Sequence, residues 1–335
     1  QNFPGDVQIR GTTFIKANTA TDNLAIGSNA GLTSQGATAV AVGSSAGLNQ
    51  QGADAVAVGK SAGSASQGGS SVAVGVSAGI NAQGANAVGV GSSGGRVSQG
   101  ANAVAVGSSA GCSQQGTSCV AIGNEAGCGD QGQDSVAMGR QAAKVSQGTN
   151  GIAVGNQAGS ASQGASAVAV GRAAGLNAQG ASSVAMGYDA GGVSQGTESV
   201  AIGHAAGSAS QATNAVAIGY ATAQNQQGAQ GVAIGYAAGR NVQGADAVAV
   251  GKSAGENQQG ASAVAIGSLA GSADQAANAI AIGLESGKSG QIDNAVAIGR
   301  SAGYNAQGNS SVAIGYLAGS ADQGASSVAV GVNAG

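Results

Sequence analysis

From Leu24 onward the apolar positions of this chain follow a pattern that never loses step. The unit is V-A-[V/I]-G-x-x-A-G-x-x-x-Q-G-A-x-[A/S]. It recurs every 16 residues, with glycine at its fourth position in every copy from Gly27 to Gly331. Within each copy the apolar signal alternates, as in Val40-Ala41-Val42 or Ala263-Val264-Ala265-Ile266, which is the period of a strand. Helix is disfavoured, because three or four glycines per unit would each cost about 1 kcal/mol relative to alanine. Glycines at positions four, eight and thirteen fall where a chain turns, since glycine takes positive φ without steric cost. Each copy therefore predicts one coil: a strand, a turn, a second short extended segment ending near the glutamine, and a return. Coils in parallel register would stack about 4.8 Å apart, and twenty of them would make a rod on the order of 95 Å long. The predicted fold is an all-β parallel solenoid over residues 24–335, preceded by a non-repeating segment, residues 1–23. That segment carries strand-like Val7-Gln8-Ile9-Arg10 and Thr13-Phe14-Ile15-Lys16. It is expected to cap the first coil and bury Phe14, because an open solenoid end exposes unpaired edges.

The distribution of polar residues over the sixteen positions predicts which ones pack. Lysine and arginine in the repeats sit only at position five (Lys60, Arg140, Arg172, Lys252, Arg300) or nine (Arg96, Lys144, Arg240, Lys288). The tyrosines and His204 share those two positions, and acids fall at six, nine, eleven, fourteen and fifteen. Positions one to four, seven, eight, twelve, thirteen and sixteen never carry charge and are expected to be packed. Strand alternation puts valine or isoleucine at one and three on one face and alanine at two on the other. That alanine is constant except for Gly89. Read as an outward rank, it implies a cover, and the simplest cover is another copy of the chain, in a three-fold arrangement. Glutamates at Ala169, Ala201 and Ala233 would then break the oligomer. Two aliphatic side chains per coil also bury little surface against the entropy of ordering sixteen residues, so stacking and chain-to-chain packing are both expected.

Position twelve is glutamine in every copy that reaches it, including Gln35, Gln51, Gln67, Gln83, Gln99, Gln179, Gln195, Gln243 and Gln307. A stacked amide can donate to the amide one rung away, so the column predicts a buried ladder closing a turn rather than a recognition stripe. Cys112 and Cys128 share position nine in successive copies. Their backbones should lie about 4.8 Å apart, inside the Cα range of roughly 4.4–6.8 Å that a disulfide tolerates. A bridge is one outcome and two free surface thiols the other, while Cys119, at position sixteen, is expected to be buried and single.

Composition narrows the classes of function. Sixty-four glycines without a G-X-Y period exclude collagen, and 42% apolar with 7% charged residues excludes charge-rich disorder. A net charge of −3 leaves no footprint for nucleic acid or an anionic membrane, and no apolar run is long enough to span a bilayer. No nucleic-acid partner and no membrane insertion of this segment are expected. The chain begins at Gln1 and stops half a repeat after Ser327, which predicts a processed or truncated piece of something longer. No catalytic, cofactor-binding or metal-binding residues emerge. Gly89-Val90-Gly91-Ser92-Ser93-Gly94 matches G-x-G-x-x-G, but no helix is predicted after it, as a dinucleotide site requires. One histidine cannot build a histidine-rich metal site, and the acids lack the tight aspartate spacing of calcium-binding rolls. Sixteen is not a multiple of the hexapeptide of acyltransferase helices.

The core x-[A/S]-V-A-I-G-x-x-[A/S], as in Asn214-Ala215-Val216-Ala217-Ile218-Gly219, resembles the head repeats of trimeric autotransporter adhesins, the YadA-type head. Arrays of A-G-x-x-x-Q-G-x-x-A-[V/I]-A-I-G also look like fibre proteins of phages and large algal or amoebal viruses. The resemblance covers residues 24–335. It implies a left-handed β-roll, three chains per assembly, and an extracellular role on a cell or virion surface. YadA-type heads use a shorter coil, and the x-x-Q-G segment here is an addition to it. The expected function is a structural and adhesive fibre segment without enzymatic activity, its partners being copies of itself and a cell-surface or matrix ligand. Tyr188, Tyr220, Tyr236 and Tyr316 are candidate surface contacts within the variable positions, whose weak contacts add by repetition. An ice-binding solenoid is the competing reading, although the usual ranks of threonine are missing. A carbohydrate-active β-helix enzyme is a third, but no insertion breaks the period to build a groove.

Overall fold

The computed structural model describes residues 7–9, 12–18 and 20–335, and over the repeats it is a parallel β-solenoid with strands spaced 16 residues apart. Two compact units divide the chain, Gln1–Ser166 and Ala167–Gly335. In the first, the V-A-[V/I] strands run from Asn23–Ile26 to Ile152–Val154; in the second, from Val168–Val170 to Val328–Val330. Between the repeat strands of each unit the register holds. Val40, Ala41 and Val42 lie opposite Val56, Ala57 and Val58, and Val216, Ala217 and Ile218 opposite Val232, Ala233 and Ile234. Backbone bonds hold each coil to the next, as where Val40 N–H donates to Ala55 O at 2.9 Å and Gly47 N–H to Ala62 O at 2.9 Å. A second, shorter parallel ladder runs through the glutamine positions, pairing Gln131 with Gln147 and Gln227 with Gln243.

The strand faces the opposite way from the expectation. Alanine at position two is inside, with Ala169, Ala201 and Ala233 all fully buried, while valine and isoleucine at one and three point out and stay half-exposed. The cause is the width of the coil. Its interior also holds alanine at seven, glycine at eight, glutamine at twelve and a small residue at sixteen. A Cβ placed on Gly239 would lie 3.3 Å from Ala233 Cβ and 3.1 Å from Gln243 Oε1. No larger side chain fits at position two, and lack of room, rather than an outside cover, keeps it alanine. Gly89 bears this out. Its strand partners are Ala73 and Ala105, and a Cβ there would sit 2.8 Å from the Gly94 carbonyl oxygen. The G-x-G-x-x-G stretch is thus part of the packed wall of one coil.

At the start of the first unit, Thr12–Asn18 pairs antiparallel with Asn23–Ile26, placing Ile15 opposite Ile26 and Asn18 opposite Asn23. Val7–Ile9 adds antiparallel to Thr12–Asn18 in turn. These two strands dock on the edge of the first coil by strand addition; of Phe14 only the backbone is described, so its expected burial lies outside what the structure describes.

The turns demand unusual backbone. Position four has φ from +115° to +136°, and positions six, eight and fifteen are left-handed, so non-glycine residues sit at positive φ in every coil. Thr38, at position fifteen with φ 58°, is the costliest kind, because a β-branched side chain crowds the left-handed region. Asparagine occupies the same column at Asn86 and Asn102, where it hydrogen-bonds along the stack at 3.3 Å. Thr38→Asn should therefore stabilise the first coils by about 0.5–1 kcal/mol, read as slower hydrogen exchange of their backbone amides. Unchanged exchange would show that the coil carries no strain there.

Candidate functional site

The outer surface of each unit is a set of columns, because every repeat position stacks on itself one coil away. Positions one and three form two adjacent aliphatic columns on one parallel sheet. Exposure along them is regular, 37% for Ile234, 39% for Ile266 and 40% for Met138. These are the residues the sequence reading missed, having placed them inside. The signal that could have found them is the smallness of every other interior position, which leaves no space for a branched side chain.

Beside these columns runs position five. In the second unit four consecutive coils place Tyr188, His204, Tyr220 and Tyr236 there. Their rings stack with centroids 4.9, 4.8 and 5.2 Å apart and interplanar angles of 23°, 10° and 5°. Arg172 lies 5.0 Å over the Tyr188 ring, a cation–π contact. Burial pushes the Asp189 carboxyl above its ordinary range, and the charge of nearby His204 opposes that shift. Tyr316 stands apart from this stack, under Arg300 at 5.6 Å. All four candidate tyrosines thus share position five; three belong to the continuous ring stack, and Tyr316 lies five coils beyond Tyr236.

Position nine carries the ion pairs. Lys144 reaches Glu125 of the preceding coil at 2.8 Å, and its hydrogen bond, with that of Gln141, holds the Glu125 carboxyl below the usual range. Lys288 donates to Tyr304 Oη at 3.0 Å and to Glu285 at 2.9 Å, which raises the lysine above its ordinary value. Both clusters are partly solvated, so they add little to stability. Cys112 and Cys128 are joined by a disulfide, their Cα atoms 4.6 Å apart, and Cys119 is buried and free.

The glutamine column is inside the coil, where its amides do more than form a ladder. Each amide braces its own coil: Gln51 Nε2 donates to Val40 O at 2.9 Å and Ala55 O at 3.1 Å, and Gln67, Gln99, Gln195 and Gln307 repeat the pattern. Gln179 also donates to Val168 O at 2.8 Å. Rungs between coils join Gln35 to Gln51, Gln83 to Gln99 and Gln243 to Gln259, at 3.1–3.2 Å. The column closes the coil and presents no amide for recognition. No protein-family model matches this chain, and no curated protein matches it.

Proposed function

We propose that this chain is a segment of a surface fibre whose copies associate, as a homotrimer, through the valine and isoleucine columns of positions one and three. The half-exposure of those columns in unbroken register is the observation that carries the reading. They form a continuous, partly exposed apolar stripe along each unit, the kind of contiguous patch that marks an interaction surface rather than the scattered apolar exposure of an ordinary monomer. Variable side chains at positions five and nine then offer most of the outward contacts, position six being buried at Ala205, Ala221 and Ala237, and weak contacts to a cell-surface or matrix ligand add by repetition. The Cys112–Cys128 disulfide supports an extracellular setting, on a cell or a virion.

Ile202→Asp, Ile218→Asp and Ile234→Asp in one chain test this directly. Light scattering should give a three-chain mass for the unaltered protein and a single-chain mass for the variant, with the β-sheet circular dichroism of both alike. An unaltered chain that stays a monomer at high concentration would sink the trimer. The same rank, in register coil after coil and free of charge, supports the second reading, an ice-binding solenoid, since an ice-binding face is regular and largely free of charge. Thermal hysteresis from the monomer, lost in that variant, would favour it.

A further inference from the structure

Tyr220 and Tyr236 are the one pair of tyrosines in the repeats that share a column in adjacent coils. We propose that they form an oxidative cross-linking site, at which a one-electron oxidant of the peroxidase class, with hydrogen peroxide, joins the rings as dityrosine and staples two coils together. The rings lie 5.2 Å apart and within 5° of parallel, stacked on one another. Both are accessible, with exposures of 50% and 54%. Their backbones are locked in register by the strands Val216–Ile218 and Val232–Ile234, so the two radicals need no diffusive encounter. Exposed side chains turn on the picosecond-to-nanosecond scale, which closes the remaining gap.

The step balances. Each phenol gives one electron and one proton to the oxidant, and the pair of hydrogen atoms reduces one hydrogen peroxide to two waters. The two phenoxyl radicals then couple, forming one bond between ortho carbons. The ring hydrogens at those carbons move to the oxygens, restoring both phenols. The product is lighter by two hydrogens.

The remaining tyrosines of the second unit are placed against this chemistry. Tyr188 is separated from Tyr220 by His204, and the Arg172 guanidinium over its ring opposes loss of an electron. Tyr304 accepts the Lys288 hydrogen bond at position nine, while Tyr316, one coil on, sits at position five.

Peroxidase and hydrogen peroxide applied to the whole chain, followed by cleavage after glutamate, read the site out. Tyr220 and Tyr236 stay together in residues 199–256, whereas Tyr188 lies in 126–198. The expected result is dityrosine fluorescence with a loss of two hydrogens in 199–256, on a chain of single-chain mass after denaturation. Tyr236→Phe, which keeps the ring and the stack, should bring both signals to background, and Tyr304→Phe should leave them unchanged. Fluorescence that persists in Tyr236→Phe overturns the proposal. So does a product found only as covalent dimers, with 199–256 showing no intrachain loss. Neither readout depends on whether the fibre is a trimer.

Discussion

An Ala201→Glu chain should lose at least about 4 kcal/mol of folding stability, from an overpacked coil and a desolvated carboxylate together. Ala201 is fully buried between Ala185 and Ala217 of the neighbouring coils. Across the same coil sits Gln211, whose amide is committed to Val200 O at 2.8 Å, Ala215 O at 3.2 Å and Gln227 Oε1 at 3.0 Å. A glutamate would have to displace that brace or push the wall of the coil outward. Ser210→Glu is the matched control, nine residues along on the exposed side, in a column that already holds Asp274 and Asp322. It should shift stability by no more than about 0.5 kcal/mol. Urea unfolding followed by circular dichroism measures both. Equal midpoints would mean that position two is not the interior of the coil. The result also bears on the alanine substitutions at 169, 201 and 233: they report on the core, and the isoleucines at 202, 218 and 234 report on assembly.

The period and the strand were legible because each rests on a local rule. A residue count fixes the stack, alternation fixes the strand, and charge excluded from positions seven, eight, twelve and sixteen fixes most of the interior. The facing of the strand was not legible by the same route. Alternation says only that Val200 and Ile202 share a face which Ala201 does not; it does not say which face is inside. Hydrophobicity favours the larger residues for the interior, and here volume overrules it. A coil closed by glycine and alanine has no space for a branched side chain, so the small residue is buried and the large ones are left half in water. Reading position two together with seven, eight and sixteen would have given the answer, because all four admit only small residues almost throughout.

The surface columns show the same division. Cys112 and Cys128, or Tyr220 and Tyr236, can be placed next to one another from the period alone, since identical positions of adjacent copies must stack. The side chain of Gln243 could be assigned to the interior but not to its full set of partners. Its donors reach the carbonyls of Val232 and Ala247 as well as the next amide, and which acceptor lies closest depends on how tightly the coil curls. The left-handed turns were least visible. Serine, aspartate, glutamine and leucine all occupy position six at positive φ, as at Ser45, Asp189, Gln141 and Leu269, and none of them announces that conformation in a sequence. Tertiary stacking imposes it.

Glycine at position four is where stacking tolerates nothing else, and Gly59→Ala should cost at least about 3 kcal/mol, from the disfavoured backbone and the clash together. Gly59 has φ +129°, and a Cβ on it would lie 2.5 Å from the Gly75 carbonyl oxygen and 2.7 Å from its carbon. Those atoms are backbone of the next coil, so relief requires the coils to part. Parting them strains the bonds that span the gap, among them Gly75 N–H to Val58 O at 2.8 Å and Ser77 N–H to Lys60 O at 2.9 Å. Ten residues on, Gly69 stands where most copies carry alanine; a Cβ there would meet only Ala53 O, at 3.5 Å, which is ordinary contact. Gly69→Ala should therefore stabilise by about 0.5 kcal/mol, by reducing the freedom of the unfolded chain. The same chemical change thus has opposite signs at two sites in one copy of the repeat. Coils contact mainly their neighbours, so the Gly59 defect should also split the unfolding of the first unit into two steps on either side of that coil. Thermal melts with hydrogen exchange read out both effects. A Gly59→Ala chain that melts in one step at the unaltered midpoint would mean that the glycine column does not set the spacing of the coils.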